Sequence, residues 1–326
     1  MQHFRPTLRT TRFIGIALLT GMVLAQAGLP KLAVKPSYRV GFAQTESNNP
    51  WRLAQSASMK SEAAKLGWQY VETNASGSTS KEVSDIRSLI AQRVDAIFIS
   101  PREEKPLAPV VLEAKQAGIP VIIIDRNVDP ATAVAGRDYI AFIGSDFIQE
   151  GQRAGDWLVK KMNGKAKIIE LQGTTGSSPA NDRKTGFAQA IAKAPGMQIV
   201  ASQTGNFTRD EGRKVMESLI QAHPEATAVY AHNDEMALGA ITALEAAGRH
   251  PGKDITIISI DGEKEGLQAI IAGKLGATVE CNPRFGVKAY QTLKDFAAGK
   301  TVSTKIINPD RFFDASNAKA SLASSY

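Results

Sequence analysis

The chain is predicted to be an α/β protein of two similar lobes, each a parallel sheet flanked by helices. Three observations carry that prediction. From Tyr38 onward, short runs rich in β-branched residues alternate with longer amphipathic segments, the pattern of repeated βαβ units. Many of the amphipathic segments stop on a glycine (Gly67, Gly118, Gly164, Gly248, Gly273, Gly299), where a left-handed residue ends a helix. The strand-like runs number ten, which is many for one such sheet and suits two.

The runs are Arg39–Gln44, Gln69–Glu72, Ala96–Ser100, Val121–Asp125, Ile140–Ile143, Lys167–Leu171, Ile199–Thr204, Ala228–Ala231, Thr256–Ile260 and Ala277–Glu280. Val121-Ile122-Ile123-Ile124 reads as a strand buried on both faces. It stops at once on Asp125-Arg126. Ligands of open α/β sheets bind beyond the carboxyl ends of the strands, so charges placed there are candidates for a site. A turn cap and a solvated arginine are the structural alternative.

Other strand ends are polar too. After Gln44 comes Asn48-Asn49-Pro50-Trp51-Arg52, where Asn49 as N-cap and Pro50 at the first helical position start a helix. Trp51 and Arg52 have no such explanation. An aromatic face at the rim suits stacking on a ligand, and packing in the lobe core is the other role open to it. Ser177-Ser178-Pro179 repeats the start signal ahead of Asn181-Asp182-Arg183. Thr208-Arg209-Asp210-Glu211 is a capping box, preceded by a Phe207 whose staple partner would be Gly212, which cannot pack against it. Tyr230-Ala231-His232-Asn233-Asp234 is a strand end with Asn233 as N-cap, and Asp261-Gly262 is a turn pair.

Composition narrows the class. Arg5, Arg9 and Arg12 precede an apolar run, Phe13–Val23, and then Ala25-Gln26-Ala27. This reads as a signal peptide over residues 1–27, its apolar run short of the ~20 residues of a membrane span. Removing three arginines and no acids takes the formal charge from +7 to +4, without a basic run, so no nucleic-acid partner is expected. Cys281 is the single cysteine, which excludes an internal disulfide, and the four His are scattered. Neither a metal site nor a cofactor is expected. There is no G-x-S-x-G, P-loop or G-x-G-x-x-G motif and no His beside a plausible nucleophile, so binding without turnover is expected.

Together, Asn48-Asn49-Pro50-Trp51, Asp125-Arg126, Asp182-Arg183-Lys184-Thr185-Gly186-Phe187, Ala231-His232-Asn233-Asp234-Glu235-Met236-Ala237 and Ile260-Asp261-Gly262 resemble the periplasmic sugar-binding proteins of bacterial ABC transporters, in their ribose/galactose branch. Trp51-Arg52, Glu170-Leu171-Gln172-Gly173 and Tyr230–Asp234 look most like galactofuranose-binding proteins. The resemblance implies the type I periplasmic binding protein fold, two lobes joined by three crossing segments that close like a hinge around a monosaccharide. It sets the crossings near Ile143–Ser145, Cys281–Asn282 and Thr301–Thr304. One lobe is then residues 38–144 plus 283–302, and the other 145–282 plus 303–326.

Carried over by position, the ligand contacts are Asn49, Trp51, Arg52, Asp125 and Arg126 from the first lobe, with Arg183, Phe207, Asn233 and Asp261 from the second. Arg52 falls where the ribose binders have an aromatic and Cys281 where they have a glutamine. Gln44, Asn48 and Asn181 are weaker candidates. Arginines beside Asp125 and Asp261 are expected to keep both acids ionised. The implied partners are the sugar and an inner-membrane permease, with a chemoreceptor as a further candidate, for a monomer in the periplasm. A sugar sensor of the repressor type is the alternative, though such proteins carry a helix-turn-helix where this chain has Phe13–Val23.

Overall fold

The computed structural model describes residues 1–3 and 28–326, so the signal-peptide reading falls almost wholly outside the described residues. Two six-stranded sheets form two lobes. The first sheet holds β1 (Arg39–Gln44), β2 (Gln69–Asn74), β3 (Ala96–Ile99), β4 (Val121–Ile124), β5 (Phe142–Gly144) and β11 (Lys305–Ile307), in the order β11-β5-β4-β3-β1-β2. The second holds β6 (Lys165–Gln172), β7 (Gly196–Thr204), β8 (Ala228–Ala231), β9 (Thr256–Asp261), β10 (Ala277–Glu280) and β12 (Phe312–Asp314), in the order β12-β10-β9-β8-β6-β7. All pairings are parallel except β10 with β12. The ten expected strands are present, with ends shifted by a few residues at most.

β4 lies inside the first sheet, and its four residues are at most 1% exposed. A β-branched run here has apolar neighbours on both faces. The six helix-ending glycines all have φ between 66° and 78°, the left-handed region that a side chain would disfavour. The helices that flank the sheets and carry the site are α1 (Pro50–Lys65), α2 (Thr79–Ala91), α3 (Glu104–Gln116), α4 (Phe147–Lys161), α5 (Ser178–Ile191), α6 (Arg209–Ala222), α7 (Asp234–Ala246), α8 (Lys264–Ile271) and α9 (Gly286–Ala297).

The chain passes between the lobes three times. It leaves β5 for α4 at Ser145-Asp146, and β10 for α9 at 281–285, where the Gly286 amide donates to Ser58 Oγ at 3.0 Å. The third passage lies at 308–311, between β11 and β12, and not near Thr301–Thr304. Residues 303–307 therefore belong to the first lobe. The reason is pairing: Lys305, Ile306 and Ile307 run alongside Phe142, Ile143 and Gly144 as a three-residue edge strand. So short a strand has no period of its own to read in sequence.

The lobes touch. The Asn127 amide donates to Ser178 Oγ at 2.8 Å, Asn181 Nδ2 to Glu104 Oε2 at 2.9 Å, and the Glu104 amide to Gly176 O at 3.0 Å. Asn181 thus links the lobes in this structure, at the rim and away from the cavity lining.

Candidate functional site

Between the lobes, at the carboxyl ends of the strands, lies a cavity lined by Asn49, Trp51, Arg52, Asp125, Arg126, Pro179, Arg183, Phe207, Asn233, Asp261 and Cys281. All nine residues singled out from the sequence are in this lining. The two that sequence reasoning did not place are Pro179, read only as a helix start, and Cys281, left in doubt. Of the weaker candidates, Gln44 is buried behind α1 with its amide on Gln55 Oε1 at 2.9 Å, and Asn48 is exposed.

Local sequence explains how several of these side chains are held. Asn49 caps α1, accepting from the Arg52 amide at 2.8 Å, and Asn233 caps α7, accepting from the Met236 amide at 3.0 Å. Each amide keeps its other end for something else: Asn233 Nδ2 donates to Phe207 O at 3.1 Å. Asp125, Phe207 and Asp261 have φ of 64°, 61° and 128°. Non-glycine residues rarely adopt such angles, and where they do the strain concentrates at functional sites. Phe207 also needs a glycine opposite it, since a Cβ on Gly173 would fall 1.9 Å from the ring.

The first-lobe wall is a charge network. Arg52 Nη1 donates to Asp125 Oδ2 at 2.7 Å, Gln55 Oε1 at 3.0 Å and Ser100 Oγ at 3.0 Å, and the guanidinium lies 4.7 Å from the Trp51 ring centre. Arg126 sits 3.8 Å from Asp125 and 3.7 Å from Glu46 and donates to Arg102 O at 3.2 Å. Its Nε has no hydrogen-bond partner although the residue is 2% exposed. A buried guanidinium N–H left open costs free energy unless something fills it, so this donor faces the need for an acceptor. Burial first, and the nearby Arg52 next, push the Arg126 guanidinium down to about 10, still charged at neutral pH.

In the second lobe, Arg183 Nε donates to Glu150 Oε2 at 2.7 Å and Nη1 to His232 O at 2.5 Å, leaving Nη2 3.6 Å from Asp261. The Phe207 ring has Arg126 at 5.1 Å and Arg183 at 5.7 Å from its centre, one guanidinium from each lobe. His232 is fully buried and accepts from the Gly173 amide on Nδ1, with Glu170 near Nε2. It braces the strand end that carries Asn233. Asp234 does similar work one residue on, accepting from Ser259, Thr278 and the Glu263 amide.

Burial raises the Asp261 carboxyl well above its usual range, with Arg183 pulling it down and Asp234 and Glu150 adding to the rise, so the arginines hold it less firmly than the sequence suggests. Arg183 commits its short contact to Glu150, which leaves Asp261 too weakly paired to repay desolvation.

Behind Arg126, Glu82 is fully buried, with Oε2 accepting from the Arg102 amide at 3.0 Å and no partner at Oε1. Burial pushes its carboxyl up to about 8. An unfolded glutamate titrates near ~4.3, so Glu82 stabilises fully below that pH and loses this contribution as pH rises toward about 8. The ligand-free melting temperature should fall between pH 5 and 8.5, and Glu82→Gln should flatten the fall. Calorimetry across that range checks it; equal slopes in both proteins would remove Glu82 as a cause.

Such a wall of paired charges, amides and two aromatic rings suits a small polyhydroxylated ligand. Hydroxyls both donate and accept, and the C–H faces of a sugar stack on rings. Among the described residues there is no cluster of His, Cys, Asp and Glu fit for a metal, and no helix long and apolar enough to cross a membrane.

Comparison with known proteins agrees. Residues 40–301 match the model of a periplasmic binding protein domain. The galactofuranose-binding protein YtfQ of Escherichia coli is 41% identical over 284 residues, 86% of this chain and 88% of that protein. A Mycobacterium smegmatis protein solved in complex with β-D-fucofuranose is 45% identical, with a TM-score of 0.84 over 88% of this chain and 94% of that one. The binding protein of the arabinose ABC transporter of Shewanella sp. ANA-3, solved with L-arabinofuranose, is 40% identical, with a TM-score of 0.83 over 88% and 95%. By fold, cavity and sequence, this chain belongs to the periplasmic binding protein family.

Proposed function

We propose that this chain is the substrate-binding protein of an ABC-type sugar importer, capturing a monosaccharide in its furanose form, galactofuranose among the candidates, and delivering it to a membrane permease. The observation that carries the reading is the buried inter-lobe cavity, where Asp125, Arg126, Arg183 and Asp261 meet with Trp51 and Phe207. Hydrogen bonds to charged partners contribute roughly 1.5–3 kcal/mol each. A few of them, with stacking, exceed the ~8 kcal/mol of micromolar binding. The similarity to proteins solved with furanoses supports the ring form.

The same reading places the mature protein in the periplasm after cleavage near Gly28. Recovered from the periplasmic fraction of a producing bacterium, the chain should begin there and melt at a higher temperature with galactofuranose, D-fucose or L-arabinose. Its radius of gyration in solution should fall as the sugar is added. A chain that keeps Met1 overturns the export part, and one whose melting no sugar shifts overturns the ligand part.

A further inference from the structure

We propose that Tyr326 is a positioning residue of the ligand site, holding Asp261 and Trp51 in place through two backbone carbonyls. The proposal rests on the reading of the cavity as a sugar site. Tyr326 is not in the cavity lining. Its hydroxyl donates to Asp261 O at 2.7 Å and lies 3.4 Å from Cys281 O. Those carbonyls stand at the ends of neighbouring strands: Cys281 N donates to Asp261 O at 3.1 Å, and Cys281 O accepts from Trp51 Nε1 at 2.7 Å. One phenol therefore sits behind a second-lobe contact, Asp261, and within reach of the acceptor that holds a first-lobe contact, Trp51.

Asp261 is where such help is needed. Its φ of 128° is one that side-chain-bearing residues rarely adopt, and a conformation of that kind persists only where its surroundings over-determine it. Two donors on the Asp261 carbonyl do so, one from the sheet and one from Tyr326. The tyrosine is itself held: its carbonyl accepts from the Lys264 amide at 2.9 Å at the start of α8, and the Arg284 guanidinium lies 5.4 Å from its ring centre. Burial raises the phenol far above its ordinary range, and the carboxyls of Asp261 and Glu263 add to the rise. It stays a donor at any pH the protein meets.

Tyr326→Phe removes the donor and keeps the ring. Titrated calorimetrically with L-arabinose and D-galactose, whose solutions contain furanose forms, the variant should bind roughly fivefold more weakly than the parent, the size of one neutral hydrogen bond. Combined with Trp51→Phe, which deletes the other donor to the Cys281 carbonyl, the losses should be less than additive. In the ligand-free protein the indole N–H resonance of Trp51 should shift while those of Trp68 and Trp157 stay. A Tyr326→Phe affinity equal to the parent's overturns the proposal. If the parent binds neither sugar, the ligand reading fails instead, and the Trp51 resonance decides alone: unmoved, it overturns the positioning role.

Discussion

Asp125→Asn should weaken sugar binding by about ten- to a hundredfold, the loss of one charge-assisted hydrogen bond, and should also lower the melting temperature of the ligand-free protein. The second effect comes from Arg52. Its Nη1 lies 2.7 Å from Asp125 Oδ2, and both side chains are about 95% buried. Breaking a buried ion pair from one side leaves a desolvated charge and costs about 3–5 kcal/mol. Glu46, 3.9 Å from Arg52, repays only part of that. Sequence reasoning foresees only the binding loss, because nothing in the sequence joins Arg52 to a residue 73 positions on.

Asp261→Asn supplies the contrast. Burial already disfavours the ionised form of Asp261, and its nearest guanidinium, Arg183, stands 3.6 Å off and makes its short contact with Glu150 instead, so the ligand-free fold should change less than in Asp125→Asn. Calorimetric unfolding and sugar titration of both variants check this. Parent-like binding in both would show that the cavity is not the ligand site. Equal destabilisation by the two would show that Asp261 is ionised in the folded protein.

Trp51→Ala should have the largest effect of all, abolishing measurable binding and costing about 3–5 kcal/mol of stability, as a buried aromatic cut back to a methyl does. The two roles left open by the sequence, ligand wall and lobe packing, are combined in one side chain. Trp51 is 5% exposed, its ring centre is 6.1 Å from that of Phe285, and its N–H reaches across to Cys281 O at the second crossing. Alanine removes all of these at once, so Trp51→Phe is the variant that separates them: the ring remains for packing and stacking, and only the N–H is lost. Phenylalanine should fold nearly as stably as the parent and bind several-fold more weakly. Unimpaired sugar binding by the alanine variant would return Trp51 to lobe filling alone.

What the sequence determined by itself was the alternation of strands and helices, the helix ends and the residues at the strand ends. These are local: β-branched runs, glycines at left-handed stops, and Asn49 or Asn233 placed to cap the next helix all act within a few residues. The nine candidate contacts were carried over from the family resemblance, and they converge because a parallel sheet delivers its strand ends, and the loops and helix starts that follow them, to one edge. Tertiary structure alone decided which charges pair. That Arg183 turns to Glu150, at 2.7 Å, and stands 3.6 Å from Asp261 depends on how α4, α5 and β9 pack. It also decided the third crossing, where Lys305–Ile307 becomes a strand only because β5 offers an open edge. Pairing partners and burial are properties of the assembled lobes, and a carboxyl's ease of ionisation follows from both, so neither the raised Asp261 carboxyl nor the Tyr326 contact with its carbonyl can be read along the chain.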